Sequence, residues 1–258
     1  MDRFKSITSA DNTTFKQLRK IAGSARDRRK NKQTLLDGVH LLIAMADAGF
    51  NPKLIAVREG REQESEISEC LARFANITPL LLDAKLFDSI SPVEHPVGII
   101  ALIDIPEPAT NDFQCAVLLE NIQDPGNLGS IMRTAAAAGA DAVYLSKGCA
   151  EAWSPKAMRA AMGAHFSLVI HERQNLSALK NNFKSIIATR LDAQQSLYDV
   201  NLSGSVAFLF GNEGSGLSDD TAACATHNIR IPMPGEAESL NVAAAAAICL
   251  FERVRQTL

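Results

Sequence analysis

Three short stretches of this chain carry residue types that core packing alone does not call for. The first reads Asn127-Leu128-Gly129-Ser130-Ile131-Met132-Arg133-Thr134, directly after an apolar run and the turn-forming pair Pro125-Gly126. Asn127 suits a helix N-cap. Backbone N–H groups at such a helix start lack acceptors and favour an anion. Arg133 follows Gly129 by four residues, so the two share a helix face, and its side chain leans back toward Asn127. Spacing leaves two readings open: a capped helix with a surface arginine, or a site that handles a phosphate or an oxyanion.

The second stretch, Gly211-Asn212-Glu213-Gly214-Ser215-Gly216-Leu217-Ser218, leaves an apolar run through three glycines with an acid among them. Glycine lets a ligand approach the backbone closely. The order is G-x-x-G-x-G, not the dinucleotide fingerprint, and no GK[ST] motif occurs, which disfavours nicotinamide cofactors and ATP. The third stretch runs from Ile231-Pro232-Met233-Pro234-Gly235 to Ser239-Leu240-Asn241-Val242. Its prolines stiffen the exit from a strand, and Ser239 suits the N-cap of a final helix. Asn241, a poor helix former, then falls inside an otherwise apolar helix start. A buried amide there needs partners, which makes it a candidate site residue.

Strands must deliver these loops. Apolar runs at 116–119, 142–145, 167–170, 185–188, 206–210 and 228–231 alternate with helical stretches and end in an alanine-rich helix at 240–256. That pattern predicts a mostly parallel sheet covered by helices on both faces. Ligands of such sheets bind beyond the carboxyl ends of the strands, where all three loops lie. The first part of the chain is a smaller β/α unit. Helices are predicted at 13–22, 34–48, 64–74 and 84–87 and strands at 53–57, 78–82 and 97–103, with 26–32 (RDRRKNK) as a basic loop. The domain boundaries read as 1–104, a proline-bearing linker at 105–113, and 114–258.

The net charge of −3 hides an asymmetry. Between Met1 and Lys32 stand ten Lys/Arg against Asp2, Asp11 and Asp27, which suggests contact with a polyanion. The candidates are Arg19, Lys20, Arg26, Arg28, Arg29, Lys30 and Lys32; the competing reading is a solvated helical face. No apolar run reaches the ~20 residues of a membrane helix, and the polar start MDRFKSITSADNTTF has no signal core, so no membrane association or export is expected. Cys70, Cys115, Cys149, Cys224 and Cys249 are scattered without metal-ligand spacing. They read as small buried hydrophobes in a reducing cytoplasm. No metal is expected.

In this order, the three motifs resemble those of the SpoU/TrmH branch of the SPOUT RNA methyltransferases. N-x-G-x-x-x-R-T stands at Asn127–Thr134, the G-x-E-G-x-G-L/V-S loop at Gly211–Ser218, and I-P-M-x-G-x-x-x-S-L-N-V at Ile231–Val242. The resemblance covers 116–258. The basic first part is more loosely similar to an L30e-like RNA-binding domain, with Asp37-Gly38 where many members have Glu-Gly. Ala243, Ala244 and Ala161 stand where serine is common in the family.

The resemblance implies an α/β architecture: a SPOUT trefoil-knotted parallel sheet preceded by a small L30e-like β/α domain, with a homodimer built through the catalytic domain. It also implies S-adenosylmethionine as methyl donor, held around Leu209, Gly211, Ile231, Met233 and Leu240 with Asn212, Glu213 and Gly216 nearby. Arg133 maps to the arginine acting on a ribose 2′-hydroxyl, among the polar residues Asn127, Glu213, Ser239 and Asn241. The expected function is RNA 2′-O-methylation, with ribosomal RNA preferred. Transfer RNA, base-nitrogen methylation and a catalytically silent assembly factor are the alternatives. Arginine is protonated at any working pH, so Arg133 is expected to orient the hydroxyl and stabilise charge, with a substrate phosphate taking the proton.

Overall fold

The computed structural model describes residues 4–93, 95–109 and 112–258, and the chain divides into two units. Arg3 and Asp2 of the basic segment, and Thr110 and Asn111 of the expected linker, lie outside the described residues.

The first unit contains β1 (Lys5–Ile7), α1 (Thr13–Gly23), α2 (Ala25–Asn31), β2 (Gln33–Asp37), α3 (Val39–Asp47), β3 (Leu54–Arg58), α4 (Ser65–Ala72), β4 (Leu80–Leu82), α5 (Ala84–Asp88) and β5 (Ile99–Asp104). Its sheet has the order β1-β4-β3-β5-β2. β5 runs antiparallel to both its neighbours. Helix α1 begins where the Asn12 side chain accepts from Thr14 and Phe15 N–H. It buries Phe15, Leu18 and Ile21 against this sheet, each side chain contributing on the order of 1.5–3 kcal/mol.

Two expectations fail in this unit. The 34–48 helix divides into β2 and α3, because Leu35 and Leu36 fit a buried strand as well as a helix face. Gly38 at φ +99° breaks the run between them. The basic loop is instead helix α2: the Ser24 hydroxyl caps it from the Asp27 N–H, Asp27 sits in its first turn, and Arg28, Arg29 and Lys30 sit in its last. That distribution complements the helix dipole.

The second unit contains β6 (Cys115–Leu119), α6 (Pro125–Ala137), β7 (Ala142–Ser146), β8 (Val169–Gln174), β9 (Ser185–Thr189), β10 (Gln195–Ser196), β11 (Val206–Phe210), α8 (Asp219–Ala222), β12 (His227–Arg230) and α9 (Val242–Thr257). The strands form one parallel sheet in the order β10-β12-β9-β11-β6-β7-β8. β11 is buried along its whole length between β9 and β6, which accounts for its unbroken apolar sequence. Helix α9 packs on α6 and β11.

The segment Trp153–Phe166, with helix α7 (Pro155–Ala161), lies within the second half of the sequence but groups with the first unit. The fully buried Thr34 of β2 donates its hydroxyl to the Trp153 carbonyl at 2.8 Å. Gly163 is required there: a Cβ on it would stand 2.6 Å from Ala44 Cβ.

Candidate functional site

The sheet order sets β9, β11 and β6 side by side, with β12 next to β9. The loops leaving β6, β11 and β12 therefore converge at the carboxyl ends of the strands, although about ninety residues separate the first from the second.

After β6, Asp124 rather than Asn127 caps α6, accepting from the Asn127 N–H at 2.8 Å, with Pro125 in the first turn. Proline lacks an N–H and fits that position. Asn127 is thus the third residue of the helix, and its side-chain amide is free for other partners. Its Nδ2 donates to Glu213 Oε1 at 2.6 Å, and its Oδ1 accepts from Asn241 Nδ2 at 3.0 Å.

The glycine loop after β11 closes on itself through paired backbone bonds between Asn212 and Gly216, at 3.0 and 2.9 Å. Asn212 Oδ1 gathers the N–H groups of Gly214 and Ser215 at 2.9 and 3.0 Å. A side chain at position 211 is excluded, since its Cβ would lie 2.3 Å from the Gly216 carbonyl carbon.

The final helix begins later than the sequence suggested, and its cap is Asn241, not Ser239. Asn241 Oδ1 accepts from Ala243 and Ala244 N–H at 2.9 and 3.4 Å, and the residue is exposed rather than buried in the helix start. An asparagine that looked out of place in a helix is in its preferred position just before one.

A cavity of about 360 Å³ opens between these loops. Gly211, Asn212, Glu213, Gly216, Ile231, Met233, Ser239 and Leu240 line it. Leu209 does not: it is fully buried in β11, its carbonyl accepting from Thr189 Oγ1 at 3.4 Å. Arg133 is also absent from the walls. It stands exposed on α6, and its side chain makes no hydrogen bond or ion pair among the described residues. Arg133 shares helix α6 with Asn127.

Thr189, Arg190, Leu191 and Asp192 also line the wall and were missed in the sequence. Arg190 holds Asp192 through paired bonds at 2.9 and 3.0 Å, which lowers the Asp192 pKa from its ordinary value. Leu191 is left 67% exposed at the rim. The available signal was position alone, since these residues follow the apolar run at 185–188 as the other loops follow theirs.

The cavity thus offers glycine backbone on one side and apolar surface (Leu191, Ile231, Met233, Leu240) on another. A ligand with a flat apolar part and several hydrogen-bonding groups fits that lining. Among the described residues no three His, Cys, Asp or Glu side chains are grouped to hold a metal ion, and no helix is long and apolar enough to cross a membrane.

In the first unit, Arg19, Lys20, Arg26, Arg29, Lys30 and Lys32 are exposed on and after α1 and α2, and Lys32 is ion-paired with Glu107. Arg28 is a correction. It is 6% exposed and donates to the Ile21 and Ala22 carbonyls at 2.8 and 3.0 Å. The last carbonyls of α1 have no intrahelical donors, and Arg28 satisfies two of them.

Residues 114–251 match the model of the SpoU rRNA methylase family. Residues 12–101 match that of an MRM3-like substrate binding domain. The chain is 32% identical to an uncharacterized tRNA/rRNA methyltransferase of Synechocystis, over 97% of this chain and 94% of that one. It is also 32% identical to the Bacillus subtilis 23S rRNA (guanosine(2553)-2′-O)-methyltransferase RlmP, over 96% and 98%. The AdoMet-bound rRNA methyltransferase from Sinorhizobium meliloti superposes with a TM-score of 0.84 at 27% identity, covering 99% of each chain.

Proposed function

The chain belongs to the SpoU rRNA methylase family and is an S-adenosylmethionine-dependent RNA methyltransferase acting on a ribose 2′-hydroxyl; we propose that its substrate is ribosomal RNA and that the cavity beyond β9, β11 and β12 is its donor site. One observation carries the site assignment. Asn127, Glu213 and Asn241, one from each motif, form a continuous hydrogen-bonded row that ends on Glu213 in the cavity wall. Structural needs explain only part of that row: Asn241 already serves as a cap through its oxygen, yet its amide group is also engaged.

Bound in the cavity, the donor supplies an activated sulfonium methyl. The remaining work falls to the protein. Gly211 lets the loop close against Gly216, Gly216 leaves its backbone open to close approach, Ile231, Met233 and Leu240 exclude water, and the amide–carboxylate row fixes Glu213 at the rim. Arg133 binds the ribose hydroxyl and stabilises its developing negative charge, leaving the proton to a substrate phosphate. Ser239, exposed on the wall, supplies a further hydroxyl toward the same region. Positioning then provides much of the rate.

In this reading the sheet of the second unit is knotted, and a homodimer in the cytoplasm is the working form. The half-exposed Phe251 on α9 supports a covered helix face. The exposed face of α1 and α2 contacts RNA phosphates through Arg19, Lys20, Arg26, Arg29, Lys30 and Lys32. The 23S rRNA relatives and the substrate-binding family of residues 12–101 favour a ribosomal substrate.

The test is methyl transfer from labelled S-adenosylmethionine to total RNA lacking the modification, followed by nucleoside analysis. A labelled 2′-O-methyl nucleoside in large ribosomal RNA is expected. Label in transfer RNA, label on a base, or donor binding without label in RNA or in pre-ribosomal particles would each replace this reading with one of its alternatives.

A further inference from the structure

We infer that Glu120 and Asn121, the first two residues beyond β6, are positioning residues that clamp both ends of the glycine loop and thereby set donor affinity. The inference rests on the reading of the cavity as the donor site.

Glu120 is only 7% exposed. A buried carboxylate is costly unless donors surround it. Among the described residues its carboxylate takes three donors, two from Ser218 at the far end of the glycine loop and one from Thr221 in α8, the helix that Ser218 caps. Ser218 N–H reaches Oε2 at 2.8 Å, while the Ser218 and Thr221 hydroxyls reach Oε1 at 2.7 and 2.6 Å. At the near end, Asn212 Nδ2 donates to the Asn121 carbonyl at 2.9 Å. Asn121 holds a left-handed conformation, φ +56°, with its N–H on Ser146 Oγ at 3.0 Å. The two anchors are adjacent in sequence, so one rigid strand end fixes both feet of the loop.

Between the feet, residues 213–216 are exposed, and the glycines there carry the largest backbone entropy to be lost on ordering. Without its anchors the loop samples more conformers. Apparent donor affinity then falls by the fraction that remains competent. A carboxylate is required because all three partners donate. A glutamine would turn an amide group toward a donor.

The test is calorimetric titration of S-adenosylmethionine into wild type and Glu120→Gln, with steady-state methylation. Donor Kd and KM are expected to rise about tenfold, with kcat at saturating donor and the RNA KM within about twofold. If Glu120→Gln fails to fold, Thr221→Val removes one donor hydroxyl while keeping the side-chain shape, and a roughly threefold rise in donor Kd is expected. Melting temperature is read in parallel. A lower melting temperature with unchanged donor Kd in the folded variant overturns the inference, as does a fall in kcat with unchanged donor KM. A wild-type protein that binds no S-adenosylmethionine overturns the donor-site reading instead.

Discussion

Asn127 and Asn241 meet at 3.0 Å across 114 residues of sequence, one in the first turn of α6 and the other capping α9. Asn241 spends its oxygen on the helix and its amide group on Asn127. The two roles separate by substitution. Asn241→Ala loses both, with a stability cost of about 1 kcal/mol and faster hydrogen exchange at Ala243 and Ala244. Asn241→Ser keeps a capping oxygen but cannot reach Asn127. It should exchange like wild type while methyl transfer falls about three- to tenfold. Wild-type turnover in Asn241→Ser would remove the link from the mechanism.

Arg133 is exposed and outside the cavity wall, so its removal leaves the donor site intact. Arg133→Ala should bind S-adenosylmethionine within about twofold of wild type and lose on the order of 100-fold or more in kcat. Calorimetry and single-turnover methylation check the two halves. A matching loss of donor affinity would mean that Arg133 shapes the cavity.

The basic segment divides into one structural residue and several exposed ones. Arg29→Ala and Lys30→Ala should each weaken RNA binding and reduce the salt dependence of the affinity by about one charge or less. Arg28→Ala should instead lower the melting temperature, because it strands the Ile21 and Ala22 carbonyls. Its salt slope should match wild type. Filter binding across a salt series, with thermal melts, separates the classes.

Glu252 gives a pH signature. Hydrogen bonds from Arg255 and Gln256 hold its carboxyl down at about 2. Gln256 in turn caps the 200–202 turn through the Val200 carbonyl and the Leu202 N–H. Since the folded pKa is depressed, the stabilisation is fully present above the unfolded value of about 4.3. It is lost as pH falls from there through about 2. Glu252→Gln should flatten that part of the stability profile and be less stable than wild type at pH 7. Denaturant melts from pH 7 to pH 2.5 measure this, and parallel profiles for the two proteins would exclude the assignment.

The legible parts of this protein were those in which one physical signal dominates. The apolar run 206–210 is a strand with the predicted bounds, because a strand buried on both faces tolerates only such residues. The loops that follow strands were found by their glycines, prolines and polar residues. Local signals misled where two structures share one pattern. Leu35-Leu36 served a strand while reading as helix, and Asp124 and Asn127 are both good caps three residues apart. Only geometry shows that Asp124 occupies the cap and releases Asn127. The 189–192 wall carries no distinctive composition and gains its place solely because β9 lies between β11 and β12.

The sequence by itself determined the element types over most of the chain, the three motif loops and the class of chemistry, since each depends on residues close together along the chain. Tertiary structure alone decided which partners those residues take: Glu120 with Ser218 and Thr221, Asn127 with Glu213 and Asn241, Trp153 with Thr34, and Arg28 with the end of α1. Most of these pairs join positions that only the strand order and the packing of helices bring within hydrogen-bonding distance. A hydrogen bond acts over about 3 Å, and local spacing holds no record of which distant donor will arrive there.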